Sequence, residues 1–356
     1  MRAQLFLKKL DLYSGTGQLL RTQVQALRAA GVEATLACER GGLLYFLRTG
    51  VRTKRTSVAA LRARPSDADT LIVDHNLSIP EAHAVFVHNL ATDANRFLPE
   101  PDLRSAAAER EFFHALPAVT PLIANSALVK AALVEHFALQ PDRIIVHRPG
   151  HEADRFASGS RLALRARART QLGWNDSTPV VGFVTSGNFR KRGLDVLLSA
   201  AERIAVAEPE TRFLIVGARE LPSEAGRHAL FTSGKAAYRP KNHSPELWMA
   251  ALDLFVYPAR YEEFGMVVLE AAALGVPVVT SWRVGAAECL PPEYARWLSE
   301  TPEADEFALR TLALLRDGAA RAELAAAGTR AAAAQDARRY GAETAATILA
   351  QKRQLK

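Results

Sequence analysis

The stretch from Tyr257 to Val279 constrains the fold most, and it reads YPARYEEFGMVVLEAAALGVPVV. It follows an apolar run, turns at Gly265, and continues with residues that predict a short helix ending before Gly275. A strand, a glycine turn and the unpaired amides at the start of a helix form a site suited to a phosphate group. The stretch therefore predicts a phosphate site at the turn of an α/β domain.

Two acids, Glu262 and Glu270, accompany this turn, one before the predicted helix and one inside it. A phosphate repels carboxylates, so these acids are expected to contact another part of the ligand. Sugar hydroxyls fit, because each hydrogen bond that they donate to a carboxylate contributes roughly 1.5–3 kcal/mol. The pair favours a nucleotide-sugar site, and the alternative is an ordinary strand–turn–helix unit with surface acids.

The length of 356 residues is enough for two domains, and 49% apolar with 23% charged residues is a normal globular balance. The two cysteines, Cys38 and Cys289, give neither a disulfide framework nor zinc-ligand spacing, which favours a reducing compartment. The first apolar run is too short for a signal peptide, and no run is long enough to span a bilayer. A cytoplasmic protein is expected.

The net charge of +7 is concentrated between Arg40 and Ser66, where there is no acid. Such a basic region predicts peripheral contact with an anionic membrane or with an acidic acceptor. Nucleic acid is not expected as a partner, because no nucleic-acid motif or interleaved aromatic residues accompany the charge. The alternative is a solvated surface in an arginine-rich chain. The bases of this region are Arg40, Arg48, Arg52, Lys54, Arg55, Arg62 and Arg64.

The N-terminal segment predicts a strand, a glycine turn and an amphipathic helix, with Gly15, Thr16 and Gly17 where the helix begins. Glycines at this point let the backbone approach a ligand closely. With the acid Glu39 after the next strand, the segment also imitates the dinucleotide fingerprint of an NAD-linked dehydrogenase. Leu20 occupies the third glycine position of that fingerprint and is too large for close helix–strand packing, so this alternative is weak.

Two further predicted strands, at 70–76 and 83–89, end near His75 and His88. Open α/β sheets bind ligands at this edge, so His88 is a candidate ligand contact, and the alternative is a packed, hydrogen-bonded histidine. The triplet at 67–69 resembles a metal-binding D-x-D motif. It precedes a strand on a polar loop, and we interpret it as chance.

The second half opens with the buried strand VVGFV and a loop that contains Gly187 and three consecutive cations. These cations are Arg190, Lys191 and Arg192. At the carboxyl end of a strand they are placed to neutralise a diphosphate, and the alternative is a solvated basic turn.

The sequence from Glu262 to Val279 resembles the E-x7-E signature of retaining glycosyltransferases of family 4, whose usual form is EGFGLVLLEAMAxGxPVV. Glu263 stands where the family has glycine. Segment 121–156 resembles the family's IANSxxVK…RIxVIPNGVDxxRF, with HRPG in place of IPNG, and Val284–Glu288 resembles its GGxxE turn. The loop FRKRGLD is similar to that of some lipopolysaccharide-core transferases, with the identities of the family's Arg and Lys exchanged.

This resemblance implies an α/β chain of the GT-B fold, two Rossmann-like doubly wound domains facing across a cleft. The expected domains are 1–158 for the acceptor and 159–332 for the nucleotide-sugar donor. A C-terminal helix at about 333–356 is expected to pack back on the first domain.

The resemblance also implies roles for individual residues. Glu262 would contact donor-sugar hydroxyls, His88 would lie near the donor sugar, and Lys191 and Arg192 would stabilise the leaving diphosphate as the catalytic cations. Glu270 would contact the ribose. The expected donor-binding residues are Gly15, Thr16, Gly17, Gly187, Arg239, Gly265, Met266, Val267 and Glu270.

The function expected from the resemblance is a retaining hexosyltransferase that needs neither metal nor cofactor. The donor would be a nucleoside-diphosphate sugar, with UDP favoured, and the acceptor a cell-envelope glycan or glycolipid such as lipopolysaccharide core. The alternatives are a sugar-nucleotide epimerase of the same fold and a non-catalytic nucleotide-sugar-binding subunit.

Overall fold

The computed structural model describes residues 1–11, 14–63, 69–240 and 244–352. Arg64 of the basic region and the first two residues of the triplet at 67–69 lie outside the described residues. Within the described ranges, no helix combines the length and the apolar character needed to cross a membrane.

The chain divides into two compact units, one formed by Met1–Gly150 with Ala337–Lys356 and one formed by His151–Asp336. The boundaries predicted from the sequence stood at 158 and 332. The first observed boundary follows Gly150, before the predicted one, and the second follows Asp336, after the predicted one. His151 and Gln335, near the two ends of the second unit, are bonded to each other. The His151 amide and its Nδ1 both lie 3.0 Å from the Gln335 carbonyl oxygen.

The first unit is built on a seven-stranded parallel sheet with the strand order β3-β2-β1-β4-β5-β6-β7. A helix lies in each connection between successive strands except that from β4 to β5, and such crossovers are usual between parallel strands. Its elements are β1 (Arg2–Phe6), α1 (Gly15–Ala29), β2 (Glu33–Cys38), α2 (Gly42–Thr49), β3 (Thr53–Arg55), α3 (Val58–Arg62), β4 (Thr70–Asp74), β5 (Ala84–Val87), α4 (Ala91–Ala94), α5 (Leu103–Ala115), β6 (Leu122–Ala124), α6 (Ala127–Phe137) and β7 (Ile144–Val146).

The second unit is built on a six-stranded parallel sheet with the order β10-β9-β8-β11-β12-β13. Its elements are α7 (Arg161–Leu172), β8 (Val180–Val184), α8 (Leu194–Ala207), β9 (Arg212–Gly217), α9 (Ser223–Gly226), α10 (Ala229–Thr232), β10 (Ala236–Pro240), α11 (Pro245–Ala250), β11 (Leu254–Val256), α12 (Met266–Ala273), β12 (Val278–Ser281), β13 (Leu298–Ser299), α13 (Ala304–Arg316) and α14 (Gly318–Ala333). Helix α15 (Ala337–Ala350) follows and belongs to the first unit. Two doubly wound parallel sheets confirm the predicted α/β class.

Helix α15 packs along α1. Tyr340 on α15 is fully buried, and its hydroxyl accepts a hydrogen bond of 3.1 Å from Gln23 Nε2 on α1. Ile348 is likewise buried among the residues of the β1–β2 side of the sheet. The first unit therefore completes its core with residues from the far end of the chain.

Serine side chains cap the N-termini of two helices that follow strands of the first unit. Ser14 Oγ accepts from the Gly17 amide at 3.0 Å, and Ser126 Oγ accepts from the Val129 amide at 3.1 Å. Each bond satisfies an amide that has no partner inside its helix. Both helices start just after a strand, so their N-termini lie at the carboxyl edge of the sheet.

Candidate active site

Two loops of the second unit leave the same edge of its sheet, because β8 and β11 are parallel neighbours. The Arg260 amide donates to the Lys191 carbonyl at 3.0 Å, and Arg260 Nη1 donates to the Arg190 carbonyl at 2.8 Å. Arg260 also forms a bidentate pair with Asp195 at 2.7 and 2.6 Å. These bonds join the basic loop after β8 to the acidic loop after β11.

Gly193 is required where the two loops meet. Its φ is +75°, and a Cβ atom there would lie 1.9 Å from the Pro258 carbonyl oxygen. An L side chain disfavours this backbone region and would also collide with the facing loop. The glycine therefore sets how closely the cations approach the acids.

Arg192 and Glu262 form an ion pair between the two loops. Glu262 Oε2 also accepts from the Tyr257 hydroxyl at 2.9 Å. Burial lowers the pKa of Arg192, but the charges of Glu262 and Glu263, the neighbouring Tyr257 and the hydrogen bond to Glu262 together outweigh it, so the net direction is upward. Burial raises the pKa of Glu262, and the Arg192 charge opposes that shift. Nη1 of Arg192 is buried and has no hydrogen-bond partner among the described residues.

Lys191 and Glu263 form a second pair. The Lys191 Nζ lies 2.7 and 2.8 Å from the two carboxylate oxygens of Glu263, whose side chain is only 1% exposed. The same Nζ lies 5.5 Å from the ring centroid of Tyr261, a cation–π distance. Glu263 had no role in the sequence interpretation, and the structure gives it one as the partner of Lys191.

Gly265 begins α12 with a φ of +89°, which confirms the predicted turn and short helix. A Cβ there would lie 3.0 Å from both Glu262 Cγ and Val284 Cγ1, so the loop closes tightly around it. The first amides of α12, at Met266 and Val267, have no carbonyl partner inside the helix and carry its positive end. They follow directly on the acid–cation cluster.

The chain around Val284 holds the acidic loop in place. The Glu262 amide donates to the Arg283 carbonyl at 2.9 Å, and the Gly285 amide donates to the Glu262 carbonyl at 3.0 Å. The Ala286 amide donates to the Phe264 carbonyl at 2.7 Å. These bonds fix Glu262 on a rigid support, as a positioned ligand contact requires.

Glu270 lies inside α12, as predicted from the sequence, and its side chain is buried. Burial raises the pKa of Glu270 to about 7, and the acids Glu152 and Glu246 add to the shift while Arg155 opposes it. Arg155 is already paired with both acids, with Nε 2.8 Å from Glu246 Oε2 and Nη1 3.3 Å from Glu152 Oε2. The sequence analysis missed the group of charged residues around Glu270, although Arg155 lies at the end of segment 121–156, where it had no assigned role.

Gly187 and Arg239 lie away from the acid–cation pairs. The Gly187 amide donates to Thr185 Oγ1 at 3.3 Å, within the turn directly after β8. Arg239 is on the edge strand β10, with its guanidinium 5.3 Å from the Trp248 ring and its Nη2 3.4 Å from the Gln171 carbonyl. The structure does not bring Arg239 into contact with the cluster, and its role at the nucleobase stays a prediction.

In the first unit, His88 is packed against His75, with 2.9 Å between His88 Nε2 and His75 Nδ1. The His75 ring also stacks on Phe86 at 4.5 Å between centroids. Burial lowers the pKa of His88 to about 4 and that of His75 well below its usual range. Both rings are therefore neutral at neutral pH, and a role of His88 beside the donor sugar stays a prediction.

Gly15, Thr16 and Gly17 form the first turn of α1. A Cβ on Gly17 would lie 2.2 Å from the Asp11 carbonyl oxygen, so the close approach of the backbone at Asp11 requires glycine at position 17, whether or not a ligand binds there. Leu20 is fully buried at the position where a dinucleotide fingerprint needs its third glycine. This weakens the dehydrogenase alternative further.

In the part of the chain that the structure describes, there is no cluster of three or more His, Cys, Asp or Glu side chains able to hold a metal ion. The cations around the expected diphosphate position are side chains, Lys191 and Arg192, each paired with an acid. Metal independence stays a proposal.

Residues 165–331 match the model of the family described as glycosyl transferases group 1. A D-inositol 3-phosphate glycosyltransferase of Geodermatophilus obscurus is 32% identical over 275 residues, which cover 71% of this chain. They cover only 57% of that relative, so the chain spans little more than half of its length.

Solved structures share the fold. WaaG, a glycosyltransferase involved in lipopolysaccharide biosynthesis, superposes with a TM-score of 0.80 at 19% identity, covering 97% of this chain and 99% of WaaG. Anabaena HepE in complex with UDP and glucose superposes with a TM-score of 0.77 at 17% identity, covering 98% and 100%. The matched segment lies in the second unit, which carries the acid–cation pairs. The chain therefore contains a glycosyl transferases group 1 domain and has the GT-B fold of two Rossmann-like units.

Proposed function

We propose that the chain transfers a hexose from a nucleoside-diphosphate sugar to a glycan or glycolipid acceptor, with retention at the anomeric carbon and without a divalent metal. The observation that carries the proposal is the pairing of Lys191 and Arg192 with Glu262 and Glu263, directly before the N-terminus of α12. This arrangement places cations, helix amides and hydroxyl acceptors on adjacent loops.

The leaving diphosphate gains negative charge as the glycosidic bond breaks, and donors fixed in advance stabilise that charge. Arg192 is suited to this role because its Nη1 is a buried donor without a partner among the described residues, a state that folded proteins rarely tolerate. The amides of Met266 and Val267 add the positive end of α12.

Each of the two cations is paired with an acid, so a diphosphate has to compete with carboxylates. The donor sugar resolves this competition at Glu262, because its hydroxyls donate hydrogen bonds to the carboxylate while a phosphate oxygen takes the second nitrogen of Arg192. Sugar and diphosphate would thus bind better together than either does alone. This coupling favours intact donor over free nucleotide.

The donor base and sugar are tested by a thermal-shift screen with UDP, GDP, ADP and their sugars. A ligand of the native state stabilises by RT ln(1 + [L]/Kd), about 2.7 kcal/mol at a hundredfold excess over Kd. A response to one nucleotide series identifies the donor. The absence of a response to every series would contradict the proposal.

For the acceptor we propose a hydroxyl of an envelope glycan or of a phosphorylated polyol. The relative named above acts, by its name, at inositol 3-phosphate, and WaaG is described as involved in lipopolysaccharide biosynthesis. Both acceptor types therefore belong in the assay, as core oligosaccharide and as inositol phosphate.

Product analysis with the identified donor then tests the reaction itself. Proton NMR of the new anomeric signal distinguishes retention from inversion, and activity that persists in EDTA supports metal independence. Donor turnover without an acceptor would instead indicate an epimerase, and binding without turnover a non-catalytic subunit. The cytoplasmic setting expected from the sequence stays a prediction.

A further inference from the structure

Helix α2 of the first unit is built with its apolar side chains facing outward. The side chains of Leu43 and Leu47 are 74% and 68% exposed, and Leu44 and Phe46 are also exposed. They occupy four of the eight positions of the helix. Apolar residues scattered singly over a surface are ordinary, but a contiguous group of four marks an interaction site.

The helix is nevertheless held firmly on the unit. Tyr45 is its single buried residue, and its hydroxyl donates to the Gly17 carbonyl at 2.5 Å. Gly41 and Gly50 bound the helix in left-handed backbone conformations, and a Cβ on Gly41 would lie 2.2 Å from the Leu10 carbonyl oxygen. The outward direction of the leucines is therefore set by the fold and is not a consequence of a loose segment.

Cations surround this helix. Within the ranges that the structure describes, none of them is paired with a carboxylate, and all are exposed. Two more exposed cations, Lys8 and Lys9, lie beside them, since the backbone of Lys8 and Lys9 pairs with that of Arg40. The cations of the group are Arg40, Arg48, Arg52, Lys54 and Arg55.

A groove of about 900 Å³ opens next to the helix, lined by strands β1–β3 and the start of α2. Leu43 and Phe46 form part of its wall, so apolar and basic surface are continuous there. Cations outnumber acids in the lining. The charged residues that line it are Arg2, Glu33, Glu39, Arg40, Arg52, Lys54 and Arg55.

We propose that α2 and its surrounding cations dock the chain onto an anionic lipid bilayer. The leucines and Phe46 enter the boundary between headgroups and acyl chains, and the cations contact lipid phosphates, with a headgroup seated in the groove. An amphipathic helix with basic flanks binds membranes in this way. A solvated basic surface would not need four outward apolar residues, and these aliphatic side chains offer no stacking platform for nucleic-acid bases.

Co-sedimentation of the full chain with vesicles tests this docking independently of any glycosyl transfer. The chain is expected to sediment with vesicles that contain phosphatidylglycerol and not with vesicles of phosphatidylcholine alone. Replacement of Arg48, Arg52 and Lys54 by Gln is expected to weaken partitioning about a hundredfold, at about fivefold for each cation. The double change Leu44→Ser and Leu47→Ser is expected to weaken it at least about tenfold.

Matched controls come from the second unit. Leu162→Ser and Leu309→Ser remove leucines of comparable exposure, and Arg227→Gln removes an exposed cation; vesicle binding should be unchanged in all three. Melting curves of each variant confirm that the fold is retained, as expected for substitutions of exposed side chains.

Three outcomes would overturn the proposal. The first is equal sedimentation with both vesicle types, and the second is unchanged partitioning in the Leu44/Leu47 variant. The third is sedimentation that a short oligonucleotide abolishes while binding tightly itself, which would assign the surface to nucleic acid.

Discussion

The pair Lys191–Glu263 is the residue-scale feature that departs most from the family pattern. In the usual motif a glycine stands at 263, and a cation at 191 would face the ligand without a partner. Here the Glu263 carboxylate holds the Lys191 ammonium with both oxygens in a buried position. If the proposed diphosphate site is correct, Glu263 competes with the diphosphate for Lys191.

Glu263→Gln is therefore expected to bind nucleoside diphosphate more tightly, by about tenfold, because it adds one net positive charge to the site. It is also expected to lower stability by about 1–3 kcal/mol, since a largely buried ammonium loses its partner. Calorimetric titration and thermal denaturation measure the two effects. The exposed Glu323→Gln is the control, and an unchanged affinity in Glu263→Gln would remove the competitor role.

Lys191 and Arg192 are distinguished from each other by their surroundings. Arg192→Ala is expected to lower kcat by about a hundredfold to a thousandfold with a smaller change in donor affinity, because its buried Nη1, which has no partner among the described residues, is the donor that we propose for the developing charge. Lys191→Ala is expected to lower kcat less, since the Glu263 carboxylate already neutralises much of the Lys191 charge. Steady-state kinetics with the identified donor separates the two. Wild-type turnover in both variants would refute the assignment to the leaving group.

Sequence reasoning at this scale identified Glu262, Glu270 and the cations from one motif and one loop. It could not assign Glu263, because the family pattern offers no acid there and the partner is 72 residues away in sequence. Arg155 was missed for a similar reason: its contact with Glu246 depends on how α11 packs, which no short motif encodes.

At the scale of elements, the joint between the loops after β8 and β11 depends on Gly193. Gly193→Ala is expected to cost more than 3 kcal/mol, since the Cβ adds a collision with the Pro258 carbonyl to the strain of a positive φ. Gly173→Ala is the matched control. Its φ is +70° but nothing lies within 4 Å of the added Cβ, so only the strain of about 1 kcal/mol is expected.

Chemical denaturation of both variants measures the difference. Equal destabilisation of the two variants would show that the loop containing Pro258 can move away from the added Cβ without loss of stability. The close approach of the two loops would then not depend on Gly193.

The strands were the elements best predicted, because VVGFV and the strands near His75 and His88 are short apolar runs followed by polar residues. The sequence interpretation treated 40–66 only as a charged region and missed α2 inside it. That helix has only eight residues between glycines, which is shorter than the window of about 11–18 residues over which helical periodicity is recognised.

At the scale of the whole molecule, one buried group in each unit makes a contribution to stability that depends on pH, and the two contributions have opposite signs. Glu270 in the second unit has a folded pKa raised from 4.5 to about 7, so its contribution to stability is present below 4.5 and is lost as pH rises through 7. His88 in the first unit has a folded pKa lowered from 6.5 to about 4, so its contribution is present above 6.5 and is lost as pH falls through 4.

Between about pH 4.5 and 6.5 the Glu270 contribution is therefore expected to fall with rising pH, while the His88 contribution rises. The Glu270 effect is at most roughly 3 kcal/mol. All four tryptophans lie in the second unit, so their emission follows that unit, and far-UV circular dichroism follows both. Glu270→Gln should change the pH slope of the tryptophan-detected melting temperature by removing the Glu270 contribution, and an unchanged slope would contradict the raised pKa of this buried carboxyl.

Because α15 completes the core of the first unit, the order in which the units mature during synthesis is reversed from their order in the sequence. The ribosome delivers residues 1–150 first, but the surface of α1 that Tyr340 covers stays open until the last helix has emerged. The second unit is continuous from 151 to 336 and can close on itself earlier. The nascent chain is thus expected to carry an unfinished first unit while the loops after β8 and β11 form.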